Sequence, residues 1–141
     1  MTGIVVLVSG NGSNLEAIAE ACYKNQINSN IINVISNNPD AFGIVRAKRL
    51  NIPHICIDHK EFLTRDDFDL SLMRQIEQFD PDLIILAGFM RILGKNLTHK
   101  FYGKMINLHP SLLPLYPGLI IIILFTPATI AGIAFIKTLE G

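Results

Sequence analysis

Short aliphatic runs alternate with longer amphipathic stretches, and that order predicts a doubly wound α/β domain on a mostly parallel sheet. Two observations carry the prediction. The aliphatic runs are solid rather than alternating, as strands covered on both faces require. The first run ends in Ser9-Gly10-Asn11-Gly12, which leads straight into a helical pattern. Right-handed crossovers follow from the handedness of parallel units. With 141 residues, the chain has the length of one domain.

Taken in order, Gly3–Ser9 reads as a buried strand because Ile4 through Val8 are all aliphatic. Asn14–Lys24 reads as a helix, since Leu15, Ile18, Ala19 and Cys22 recur at helical spacing. A second strand over Ile31–Ser36 is stopped by Asn37-Asn38-Pro39-Asp40. Phe42–Leu50 predicts a helix with Arg46, Lys48 and Arg49 in its last turns, where the helix dipole favours cations. Pro53–Ile57 predicts a third strand. Asp66–Phe79 is a long helix that opens on acids and ends before Asp80-Pro81. Leu83–Ala87 and Lys104–His109 are the fourth and fifth strands, with a short, weakly amphipathic helix over Asn96–Tyr102 between them.

Half of the residues are hydrophobic and 17% are charged, which excludes a disordered chain. Twelve Lys and Arg cancel twelve Asp and Glu, so no basic excess remains for a nucleic-acid partner, and none is expected. Any bound anion must be met locally. Two cysteines, Cys22 and Cys56, form neither a disulfide framework nor a CxxC pair. With no basic segment before the first strand, a reducing cytoplasmic setting is the expectation. His54, Cys56 and Asp58 share one face of the third strand and His59 follows. Strand alternation around a core Cys56 accounts for that pattern without a metal, and no metal is expected.

Only two charged side chains, Lys137 and Glu140, lie beyond Gly118. This break divides the expectation into an α/β domain over 1–118 and an apolar tail over 119–141. Leu119–Ile136 carries no charge and is formally long enough for a membrane span. Pro127 in its middle, flanked by Thr126 and Thr129, argues against one, and a tail packed on or near the sheet is expected instead. Ile120–Phe125 is an uncharged, β-prone run of the kind that aggregates when exposed.

Ligands of doubly wound sheets bind at the carboxyl ends of the strands, and three motifs fall there. Ser9-Gly10-Asn11-Gly12-Ser13-Asn14-Leu15 places glycines in the turn and free N–H groups at a helix start, suited to an anion. Leu15 stands where a dinucleotide fingerprint has its third glycine, and Asn37 and Asn38 stand where its ribose-reading acid would be. A phosphate on a smaller molecule fits better, as does a plain turn capped by Ser13 or Asn14. Ala87-Gly88-Phe89-Met90-Arg91-Ile92-Leu93 is unusually apolar for a loop. It can line a cleft for a flat aromatic ligand or pack on the next helix. Asn107 and His109, two apart at a strand end, precede Pro110-Ser111-Leu112-Leu113-Pro114. An amide donor beside an imidazole suits a carbonyl that gains negative charge while a nitrogen loses a proton.

These three motifs, in this order and spacing, resemble the phosphoribosylglycinamide formyltransferase family over residues 1–119. The resemblance implies a Rossmann-like sheet of the formyltransferase N-terminal fold. It implies formyl transfer from 10-formyltetrahydrofolate, as co-substrate, to the amine of glycinamide ribonucleotide, a step of purine synthesis. Gly12, Ser13 and Asn14 match the loop that holds the substrate phosphate. Arg65, Met90, Arg91, Ile92, Leu93 and Asn107 match folate-binding positions. Asn107 matches the carbonyl-polarising amide and His109 the general acid/base. After Leu119 the pattern departs: the family's later strands and helix find no match, and no acid occurs between Asp82 and Glu140 to match its histidine-orienting aspartate. Impaired catalysis is the expectation. Two alternatives remain open: another formyl-folate enzyme, acting on methionyl-tRNA or hydrolysing formyltetrahydrofolate, and a non-catalytic phosphate-binding remnant. Oligomeric state is not legible.

Overall fold

The computed structural model describes residues 2–110 and 120–124, with His109, Pro110 and 120–124 described by backbone only. The strands are β1 (Thr2–Val8), β2 (Ser29–Ser36), β3 (His54–Cys56), β4 (Leu83–Ala87), β5 (Met105–Pro110) and β6 (Ile120–Leu124). The helices are α1 (Ser13–Tyr23), α2 (Phe42–Arg49), α3 (Arg65–Phe79) and α4 (Lys95–Lys100), with a single 3-10 turn at His59–Glu61. The sheet order is β3-β2-β1-β4-β5-β6. The first five strands run parallel, and β6 lies antiparallel to β5 with His109 opposite Ile121. Doubly wound α/β architecture is therefore what the aliphatic runs encode.

Strand alternation sorts the core into two layers. Ile4, Val6 and Val8 of β1 join Val34, Ile85, Ile106 and Leu108 beneath Leu15 and Ile18 of α1 and Ala47 of α2. Val5 and Leu7 join Ile35, Ile84 and Met105 against Phe68, Leu72 and Ile76 of α3 and Leu97 of α4. Each large aliphatic sealed from water in this way contributes about 1.5–3 kcal/mol. Both faces of β1 are thus covered, which is why its run is unbroken.

Local signals set the element ends. Thr64 Oγ1 accepts from Asp67 N at 3.1 Å and caps α3, while Asp66 and Asp67 complement its N-terminal dipole. Asp80, in the left-handed region at φ 46°, closes α3 before Pro81. Three expectations need correcting. The N-cap of α1 is Gly12, not Ser13 or Asn14, because the left-handed backbone at Gly12 starts the helix one residue early. The inner face of α1 is Leu15, Ile18 and Ala21, while Ala19 and Cys22 are only partly covered. Cys56 is exposed rather than core, since β3 is a three-residue strand at the sheet edge. The expected boundary at 118/119, Ser111–Pro114 and most of the 119–141 tail lie outside the described residues. Of that tail, Ile120–Leu124 lies on the sheet beside β5. Among the described residues no helix is long and apolar enough to cross a membrane.

Candidate functional site

β1 is flanked by β2 on one side and β4 on the other, so the chain winds away in both directions from the β1/β4 pair. That switch point opens a crevice at the carboxyl ends of the two strands. The turn after β1 and the loop after β4 meet there.

The first turn is Ser9–Gly12. Gly12 adopts φ 78° and ψ 19°, and no side chain caps the helix that follows. The amides of Ser13 and Asn14 thus open α1 without a side-chain acceptor, the arrangement that receives an anion. The turn is held against α2. Gly43 N donates to Gly10 O at 2.8 Å. Arg46 donates from Nε to Asn11 O at 2.7 Å and from Nη2 to Asn11 Oδ1 at 2.9 Å. The same guanidinium pairs with Glu16 in the first turn of α1, and Arg49 reaches Glu16 at 2.7 Å. The Arg46 guanidinium also lies 4.9 Å from the centroid of the Phe42 ring. In the sequence Arg46 is legible only as a cation favourable to the C-terminus of α2.

The loop after β4 leaves through Gly88 at φ 71°. Met90 is 82% and Ile92 75% exposed, so packing on α4 does not account for these apolar side chains. Leu93 turns inward against the α3/α4 core layer. Arg91 lies with its guanidinium 4.8 Å from the centroid of the Phe68 ring in the first turns of α3. Arg65 begins that helix, three residues before Phe68, and is exposed. The structure therefore brings the Arg91 side chain to the end of α3 that carries Arg65.

β5 supplies the last pair. Leu108 packs in the α1/α2 layer, so Asn107 belongs to the opposite, α3/α4 side, where it is half-buried. Position 109 has the same parity, and its backbone pairs with Ile121. The His109 side chain lies outside the described residues. A concavity of about 470 Å³ between α3 and α4, lined by Asp66, Asp69, Met73, Gly94 and Lys95, contains none of the predicted site residues.

A relay absent from the sequence reading joins these parts. Ser9 Oγ accepts from Met90 N at 2.7 Å and donates to Asn37 Oδ1 at 2.6 Å. Asn37 is in turn held by His59, whose Nδ1 lies 2.9 Å from Asn37 O and 3.3 Å from Asn37 Nδ2. Its only trace in the sequence is Asn37-Asn38 after β2, which stands where a ribose-reading acid would be. Burial raises the Cys22 thiol pKa; for Cys56 burial does so first, with Asp58, Glu61 and Asp40 adding to it. His54, beside Cys56, is engaged through Nδ1 with Ile52 O at 3.0 Å.

A family model described as formyl transferase matches residues 2–126. The chain belongs to that family. Within the formyl transferases it is 47% identical over 116 residues to phosphoribosylglycinamide formyltransferase of Escherichia coli, covering 82% of this chain and 55% of that protein. It is 44% identical to the Haemophilus influenzae protein of the same name, covering 84% and 56%. The structure matches glycinamide ribonucleotide transformylase 1 from Symbiobacterium toebii with a TM-score of 0.76 at 38% identity. It matches phosphoribosylglycinamide formyltransferase from Coxiella burnetii at 0.74 and 49%. Each match covers 84% of this chain and 56% of the solved one. The chain spans about half the length of the curated relatives it matches. The fold of this chain is thus the Rossmann-like fold of its solved relatives.

Proposed function

We propose that the chain carries the phosphate, folate and formyl-transfer positions of a glycinamide ribonucleotide formyltransferase site, with 10-formyltetrahydrofolate as formyl donor. The observation that carries the reading is the uncapped start of α1 behind a left-handed Gly12, facing the exposed apolar loop of β4 across the switch point. Amides of Gly12, Ser13 and Asn14 meet the substrate phosphate. The exposed Met90 and Ile92 present apolar surface suited to a planar ring, and Arg65 and Arg91 supply cations beside it. The folate supplies the formyl carbon. Asn107 donates an amide hydrogen bond to the formyl oxygen as negative charge develops on it. His109 takes the proton released by the attacking amine as the new C–N bond forms, and returns it to the leaving nitrogen as the tetrahedral oxyanion collapses and the old C–N bond breaks. The names of the relatives support this choice of substrate over tRNA, as does the absence of a basic excess. The reading carries with it a cytoplasmic setting, consistent with two free cysteines.

Calorimetry with glycinamide ribonucleotide tests the phosphate site. Ser13→Asp places a carboxylate among the phosphate-binding amides and is expected to abolish measurable binding. Unchanged affinity would remove the phosphate from this turn.

A further inference from the structure

We propose that Ser9 is a positioning residue that sets the β4 loop for the folate, with Asn37 as its anchor; the ligand assignment rests on the functional reading above. Ser9 and Asn37 are 8% and 4% exposed. A hydroxyl has one proton to give. Ser9 gives it to Asn37 Oδ1 at 2.6 Å, which turns its lone pairs toward Met90 N at 2.7 Å. Asn37 cannot swing away, because its carbonyl and side-chain amide both lie against His59 Nδ1. As the Nδ1–H tautomer His59 donates to Asn37 O, and as the other it accepts from Asn37 Nδ2. Either way the end of β2 is fixed to the turn at His59–Glu61.

The β4 loop needs such a hold. Gly88 sits at φ 71° with no atom within 4 Å of the place a Cβ would take. Met90 and Ile92 project outward. Backbone contact at Met90 therefore falls to Ser9, while Arg91 and Leu93 tie down the later part of the loop. The phosphate turn has a separate fastening through Arg46 to Asn11 and Gly43 to Gly10. Two clamps thus serve two ligands, although Ser9 belongs by sequence to the phosphate motif.

The separation gives the test. In the full chain, Ser9→Ala should weaken tetrahydrofolate binding about tenfold, the loss that accompanies a buried hydrogen-bond partner left unpaired. Affinity for glycinamide ribonucleotide should stay within about twofold. Ser9→Thr, which keeps the hydroxyl, should restore folate binding. Equal loss of both ligands, or failure of Ser9→Thr to restore, would overturn the proposal. Amide exchange supplies a readout that needs no ligand. In the wild-type chain Met90 N–H should exchange slowly for an exposed loop, and Ser9→Ala should speed it at least tenfold without changing Ile4–Val8. A wild-type Met90 amide exchanging at the rate of an unstructured chain would overturn the clamp even if Ser9→Ala did not fold. A wild-type chain that binds no tetrahydrofolate but protects Met90 would sink the functional reading and leave the clamp standing.

Discussion

Gly12 holds φ 78°, and a Cβ there would stand 2.6 Å from Gly43 Cα, a backbone atom that cannot step aside. Gly43 is equally confined, since its own Cβ would meet Val8 Cγ2 at 2.9 Å. Gly12→Ala should therefore cost about 1–3 kcal/mol from the left-handed backbone alone, with the collision in addition. A urea titration measures the loss, and wild-type stability in that variant would contradict the packing of the turn on α2. Arg46 reaches Asn11 and Glu16 with different nitrogens of one planar group, its side chain only 16% exposed. A lysine offers a point charge without that fork. Arg46→Lys should therefore lower stability by about 1–3 kcal/mol and loosen phosphate binding together. The glycines of this turn are legible in the sequence because a tight turn demands them locally. The Arg46 contact is not, because its partner Asn11 lies 35 positions away and long-range pairing leaves no local pattern. The same holds for Ser9 and Met90, 81 positions apart.

Among the elements, those buried on both faces are readable nearly to their ends, whereas those at the edges are readable only in part. β1 and β4 emerge from runs of aliphatics that no helix period explains. β3 shrinks to three residues at the open edge, where two of its five predicted residues find no partner strand and its cysteine faces out. β6 was foreseen only as an apolar stretch packing near the sheet, since composition specifies burial but not pairing direction. In the structure its backbone pairs antiparallel with β5. β1 is held by β2 and β4 and sealed by two core layers, whereas β6 pairs with β5 alone among the described residues. Opening energies rise with such burial and pairing. Hydrogen exchange should therefore find Ile120–Leu124 much less protected than Ile4–Val8. Equal protection would make β6 an integral strand of the domain.

At the scale of the molecule, the winding brings the carboxyl ends of β1, β4 and β5 together, so the strand ends that carry the groups proposed to bind and polarise lie on one end of the sheet. The family motifs made that end legible. The chemistry at His109 depends on more than placement. An imidazole that takes a proton in the transition state gains from a carboxylate that orients it and stabilises its charged form. Between Asp82 and Glu140 the sequence carries no acid, and the stretch from Leu119 to Ile136 is uncharged. In a related catalytic arrangement, loss of the orienting carboxylate costs about 10⁴-fold in rate. If the proposed function holds, this chain should bind glycinamide ribonucleotide yet transfer formyl groups slower than a relative that carries the orienting carboxylate by a factor on the order of 10⁴. His109→Ala should remove most of the remainder, while Asn107→Ala should lower the rate by about 10²–10³-fold through the lost oxyanion donor. Single-turnover transfer from 10-formyltetrahydrofolate measures all three. A wild-type rate equal to that of a relative carrying the orienting carboxylate would mean that a carboxylate elsewhere in the fold reaches His109, and the sequence position of that acid would become the question.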